Sequence, residues 1–120
     1  MRVKPETYSG SQVLVWKIYG KIFKERMKRG VKVNDADVLK QRAGEYKFWS
    51  DHKVIAFDIS GATINSVLLW ALVSIRKRIV KYPIRLQLDR KQYAKSKAIV
   101  TMLSMSGYSV VYNRDAAIAA

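Results

Sequence analysis

The sequence predicts a small α/β domain, a largely parallel or mixed sheet of about four strands joined by crossover helices. Three observations predict it. Val54-Ile55-Ala56-Phe57-Asp58-Ile59 is apolar almost throughout, as in a strand buried on both faces of a parallel sheet. Ile64, Val67, Leu68, Ala71, Leu72, Ile75 and Ile79 follow at helical spacing. Ile84, Leu86 and Leu88 then alternate with Arg85, Gln87 and Asp89, which describes a half-exposed strand. Strand, helix and strand in that order call for a right-handed crossover and a parallel pair.

The remaining elements follow from the N-terminus. Val13-Leu14-Val15-Trp16-Lys17-Ile18-Tyr19 is rich in β-branched and aromatic residues and reads as a strand, with Leu14, Trp16 and Ile18 on one face and Lys17 and Tyr19 on the other. Read as a helix instead, the segment lines up Trp16, Tyr19, Phe23 and Met27, with Lys17, Lys21, Lys24 and Lys28 as a basic face. Gly20 weakens a continuous helix, which favours a strand followed by a short basic helix over 21–29, stopped by Gly30. Asn34 or Asp35 caps the next helix, where Leu39, Ala43 and Tyr46 recur, with Trp49 beyond. Gly61 ends the buried strand and Pro83 breaks the long helix. A third helix over 91–106 is expected to bury Ala98, Met102 and Ile99 and to stop at Gly107, before a last strand over 108–112 and a helical stub over 116–120. No repeat or linker divides the chain, so residues 1–120 form a single domain with a basic N-terminal segment over 1–34.

Charge is the strongest functional signal. Lys and Arg number 23 against nine Asp and Glu, a net +14. Solubility alone asks for a magnitude of about 2–8 in a small domain, and the excess repels itself in the folded state. A polyanionic partner accounts for it, nucleic acid first, because bound cations release condensed counterions. An acidic protein is the alternative partner and an anionic membrane surface the third. No apolar run backs the charges of Met1-Arg2-Val3-Lys4-Pro5-Glu6, so the segment does not read as a signal peptide. The uncharged stretch over 59–75 falls short of the roughly 20 apolar residues of a membrane span and contains Ser60, Gly61, Thr63 and Asn65. The absence of cysteine excludes disulfides and thiolate metal sites and fits a reducing, cytoplasmic setting.

The cations fall into three sets: Lys17, Lys21, Lys24, Arg26, Lys28, Arg29 and Lys32; Arg76, Lys77, Arg78, Lys81 and Arg85; and Arg90, Lys91, Lys95 and Lys97. Arg suits bidentate phosphate contact and Lys acts as a point charge, so the mixture points to the nucleic-acid backbone more than to base edges. Tyr46, Trp49 and Tyr93 are candidates for stacking on bases, whereas Trp16 and Trp70 sit in apolar patterns that place them in the core. No zinc-finger spacing or Gly-aromatic RNA-binding run is present. The expected function is sequence-tolerant binding of DNA or RNA through phosphate contacts, without catalysis, metal or cofactor.

The enzyme alternative is a Mg²⁺-dependent nuclease. Asp58 and Asp89 fall near the C-terminal ends of two parallel strands, the edge where α/β sites form, with Glu45 as a third acid. Asp58 has a structural reading as well, accepting amides of the following turn. His52 alone makes no zinc site, and Gly61 lacks the Gly-Lys-Ser/Thr of a phosphate loop.

Residues 54–61, an apolar strand ending in Asp58-Ile59-Ser60-Gly61, together with Thr63-Ile64-Asn65-Ser66 before a helix, Leu103-Ser104-Met105-Ser106-Gly107-Tyr108, and Asp115-Ala116-Ala117-Ile118-Ala119, resemble a STAS domain, the fold of anti-sigma-factor antagonists. Val13 to Gly20 resembles that family's early strand before a glycine. The resemblance implies an α/β fold, a protein-interaction or regulatory role with an acidic protein partner, and Ser66 as the phosphorylatable position. Asn65 departs from the family's usual acid, and Val67 from its preferred small residue.

Overall fold

The computed structural model describes residues 1–7, 13–45, 54–79 and 84–112. Along the chain they form β1 (Arg2–Thr7), β2 (Val13–Tyr19), β3 (Arg26–Lys28), β4 (Val31–Val33), α1 (Asp35–Glu45), β5 (Val54–Asp58), α2 (Ser66–Arg78), β6 (Ile84–Leu88), α3 (Arg90–Lys95), α4 (Lys97–Met105) and β7 (Tyr108–Tyr112). The main sheet is mixed, in the order β1-β2-β5-β6-β7. β2, β5, β6 and β7 are parallel, and β1 joins β2 antiparallel. β1 is an element that the sequence pattern does not predict. Pro5 lies within it, tolerated because an edge strand keeps one side free of ladder bonds.

From β2 to β5, β6 and β7 the chain steps across the sheet in one direction. Three right-handed crossovers of that kind place every connecting helix on the same face. The registers agree. Trp16, Phe57, Leu86 and Val110 stand in one cross-strand row, and Ile84 faces Tyr108 in another. These residues form one core with Leu39 of α1, Leu68, Leu72 and Ile75 of α2, and Val100 and Leu103 of α4. Trp16 and Phe57 meet edge to face at 5.9 Å, as do Phe57 and Tyr108 at 6.0 Å. The Tyr108 hydroxyl donates to the Leu72 carbonyl at 2.6 Å, and burial pushes its phenol up while Arg76 opposes the shift. The opposite sheet face carries the row Lys4, Lys17, Asp58 and Gln87, with Arg85 and Ser109 beside it.

Several expectations are corrected. Residues 21–29 form no helix; 26–28 are a strand paired with 31–33. Trp70 is not core but 61% exposed, because Leu68, Leu69, Ala71, Leu72 and Ile75 take the inward face of α2. The helix over 91–106 is two helices. Ser96, at φ −130 and ψ 37, breaks the helical path and resets its phase. The buried residues of α4 are therefore Val100 and Leu103, while Ala98 and Met102 are exposed and Ile99 is half-buried. Tyr46, Trp49, His52, Lys81 and the stub over 116–120 lie outside the described residues.

Candidate nucleic-acid interface

The basic N-terminal set is organised by a two-residue turn. Arg29 and Gly30 both have left-handed φ, 51 and 78, the signature of the type I′ turn that matches hairpin twist. Register Arg26↔Val33, Met27↔Lys32 and Lys28↔Val31 follows. Each face of the ribbon therefore carries both a cation and an apolar side chain: Lys28 beside Val31, and Lys32 beside Met27. Residues 27–32 are all exposed, with Met27 at 62% and Val31 at 61%. The hairpin thus stands clear of the body.

Its root is fixed from below. Asp35, the first residue of α1, is fully buried, and its Oδ1 accepts from Arg26 Nε at 2.6 Å. Its Oδ2 accepts from the Phe23 amide at 2.8 Å, and the Asp35 amide donates to the Phe23 carbonyl at 3.1 Å. Asn34 does the capping of α1, accepting from the amides of Ala36 and Asp37. Asn65 ties the same segment to α2, donating to the Ile22 carbonyl while its Oδ1 accepts from the Leu68 amide. A shallow cleft of about 420 Å³ at the hairpin root is lined by Lys24, Glu25, Lys32, Val33 and Asn34, and there Glu25 lies 4.0 Å from the Lys32 ammonium.

β2, β5, β6 and β7 are parallel, so their C-terminal ends share one edge of the sheet. The hairpin follows β2 there, and the turn at Ser60–Gly61 follows β5. Asp89 and Arg90 follow β6, and Tyr112 ends β7. β2 and β7 are three strand spacings apart, about 14 Å. The aspartates of this edge are engaged by the protein itself. Asp58 accepts from the amide and hydroxyl of Ser60. Asp89 caps α3 in a reciprocal box with Gln92, whose side chain also bonds the Ile59 and Ala62 carbonyls. Lys21, Lys24, Lys28, Arg29, Lys32, Arg90, Lys91, Lys95 and Lys97 are exposed. Arg90 lies over the Tyr112 ring at 4.8 Å, Lys97 over Tyr93 at 5.9 Å, and the two rings meet edge to face at 5.7 Å.

No protein-family model and no curated protein matches the chain. The assignment therefore rests on how the structure distributes the sequence-predicted cations. The first and third sets meet on the C-terminal edge, except Lys17, which lies on the sheet face without helices. The described members of the second set do not join them. Arg76, Lys77 and Arg78 end α2 at the opposite edge, where Arg76 donates to the carbonyls of Gly107 and Ile79. Arg85 is on the sheet face with Lys17. Asp58 and Asp89 sit on adjacent strand ends as expected, but both make structural bonds, and Glu45's side chain is outside the described residues. No cluster of three metal-ligating side chains occurs among the described residues. None of the described helices is long and apolar enough to cross a membrane.

Sequence reasoning missed the exposure of Met27 and Val31 on the hairpin and of Phe23 at its root, and the partnership of Tyr112 with Tyr93 and Arg90. The signal for the hairpin was Arg29-Gly30 followed by Val31-Lys32-Val33, a turn dipeptide before an alternating run. Nothing local pairs Tyr112 with Tyr93, 19 positions away.

Proposed function

We propose that this protein binds nucleic acid with little sequence preference, through phosphate contacts along the C-terminal edge of its parallel strands, in a cytoplasmic setting and without chemistry of its own. One observation carries the reading: Asp58 and Asp89 of that edge are turned onto the protein's own amides and hydroxyls, while Lys21, Lys24, Lys28, Arg29, Lys32, Arg90, Lys91, Lys95 and Lys97 are exposed. Such an edge presents a positive field with little internal compensation, which attracts a polyanion and releases its counterions. Lys28, Arg29 and Lys32 on a two-stranded ribbon reach outward from this edge, and Arg90, Lys91, Lys95 and Lys97 extend it on the α3–α4 side.

The resemblance to STAS domains supplies the competing proposal, a docking module for an acidic protein. Ser66, the exposed first residue of α2, is the position a regulatory phosphate would occupy.

Titration with single-stranded and duplex DNA and RNA at two salt concentrations tests the first reading. Binding at about 50 mM salt is expected, since non-specific affinities at physiological salt run about 10⁻⁴–10⁻⁶ M and tighten as salt falls. Replacing Lys21, Lys24, Lys28 and Arg29 with Ala should weaken binding to every sequence. It should also flatten the salt slope by about 0.9 for each duplex phosphate that is no longer neutralised. The same change at Arg76, Lys77 and Arg78 should matter less. The assignment fails if no nucleic acid binds, or if the Arg76, Lys77 and Arg78 variant alone loses binding.

A further inference from the structure

Between α3, α4 and β7 lies a cavity of about 240 Å³ lined by Tyr93, Val100, Thr101, Ser104, Met105, Val110 and Tyr112. It is an open cleft smaller than the roughly 300–1,000 Å³ of pockets for drug-sized ligands, a size that suits a single ring system. Its walls offer what such a ring uses: two aromatic rings, the branched side chains of Val100 and Val110, and the hydroxyls of Thr101 and Ser104. Met105, among its lining residues, is 81% exposed and so accessible to a bound ring.

The charges around the cavity indicate what accompanies the ring. Arg90 and Lys97 already lie against the faces of Tyr112 and Tyr93. Among the described residues, none of those lining the cavity is a carboxylate. An apolar ring site bordered by these cations fits an aromatic group carried on an anionic chain. Tyr112 and Arg90 belong to the same sheet edge as the basic hairpin, so a strand held along that edge by its phosphates would reach the Tyr112 end of the cavity.

We infer that this cavity receives an unpaired nucleobase, so that the preferred ligand is single-stranded nucleic acid, one base seated against Tyr93 and Tyr112 while flanking phosphates meet Arg90 and Lys97. The inference rests on the nucleic-acid reading above. It adds to that reading a contact that duplexes, whose bases are stacked and paired, do not make.

A single-stranded oligonucleotide and an abasic strand of equal length and charge separate the two ideas. The intact chain should bind the base-bearing strand about tenfold more tightly than the abasic one, within the range of one aromatic–base stack. Tyr112→Ala should bring the ratio of base-bearing to abasic affinity close to one, the readout that a change in phosphate contact alone does not move. Ser104→Trp, at an exposed helix position, should plug the cavity with the same result and guards against a folding defect at Tyr112. The Met105 methyl resonance should shift with the base-bearing strand and stay in place with the abasic one. Equal affinity for both strands overturns the cavity assignment while the phosphate reading stands. Binding of neither strand removes both. A Met105 shift produced by an acidic tyrosine-containing peptide, and not by either strand, overturns the inference in favour of a protein partner.

Discussion

Arg26 Nε lies 2.6 Å from Oδ1 of Asp35, and Asp35 is fully buried at the start of α1. This pair turns a polar residue that the sequence marks as a possible helix cap into the anchor of the basic hairpin. The buried carboxylate is met by two donors, the Phe23 amide and the Arg26 guanidinium. Asp35→Ala leaves both donors without their acceptor and should cost about 3 kcal/mol or more of stability, measured by urea unfolding. Amide exchange across 26–33 should accelerate in the same variant. A loss below about 1 kcal/mol, the scale of one ordinary hydrogen bond, would show that the pair does not anchor the ribbon.

Arg29 and Gly30 separate stability from binding. Arg29 is the one non-glycine residue with positive φ among those described. Asparagine tolerates that region better, so Arg29→Asn should leave stability equal or raise it by up to about 1 kcal/mol. Nucleic-acid affinity should nonetheless fall, because a cation is removed from the ribbon tip. Gly30→Val should destabilise by about 1–2 kcal/mol although no atom lies within 4 Å of the added Cβ, since the cost lies in the backbone conformation at φ 78. Thermal melts beside filter-binding titrations check both. Tighter binding by Arg29→Asn would contradict the role assigned to the turn.

Tyr108 has a pH signature. Its phenol is pushed up by burial, so the folded state holds its proton above pH values at which the unfolded chain gives it up. The stability this supplies is fully present below about pH 10, the ordinary tyrosine value, and is lost as pH rises toward the folded value. Tyr108→Phe should cost about 1 kcal/mol at neutral pH, for the bond to the Leu72 carbonyl. The difference between the two proteins should shrink above about pH 10. Denaturant melts at several alkaline pH values measure it, and a difference constant with pH would refute the assignment.

Asp58 and Asp89 decide between binding and cutting. Asparagine also caps helices, so Asp89→Asn should be nearly neutral, whereas Asp89→Ala removes the cap of α3 and should cost about 1 kcal/mol. The Asp58→Asn, Asp89→Asn double variant removes two negative charges from the basic edge and should bind nucleic acid as well as wild type or slightly better. Strand integrity after incubation with Mg²⁺ is the decisive measurement. Cutting by the wild type that the double variant lacks would establish a nuclease instead.

The α/β class, the β2, β5, β6 and β7 strands, the long helix α2 and the excess of cations were all legible in the chain before any folding. Each of these is written in local periodicity or composition: alternation in 84–88, a 3.6-residue stripe in 66–78, a count of Lys and Arg. Which cations lie near one another was decided only by tertiary packing. The shared direction of four strands brings Lys28 and Arg90 to one edge, although 62 positions separate them, and sends Arg76 to the other. Tertiary contacts also settled the conformation of residues 21–33. Helical spacing and hairpin chemistry compete there, and the Asp35 carboxylate, reachable only once α1 packs, holds Phe23 and Arg26 in the hairpin arrangement. Trp70 and Met102 show the same limit. Their apolar character predicts burial, but a helix has one inward face, and which residues occupy it depends on helix phase and on the neighbours packed against it.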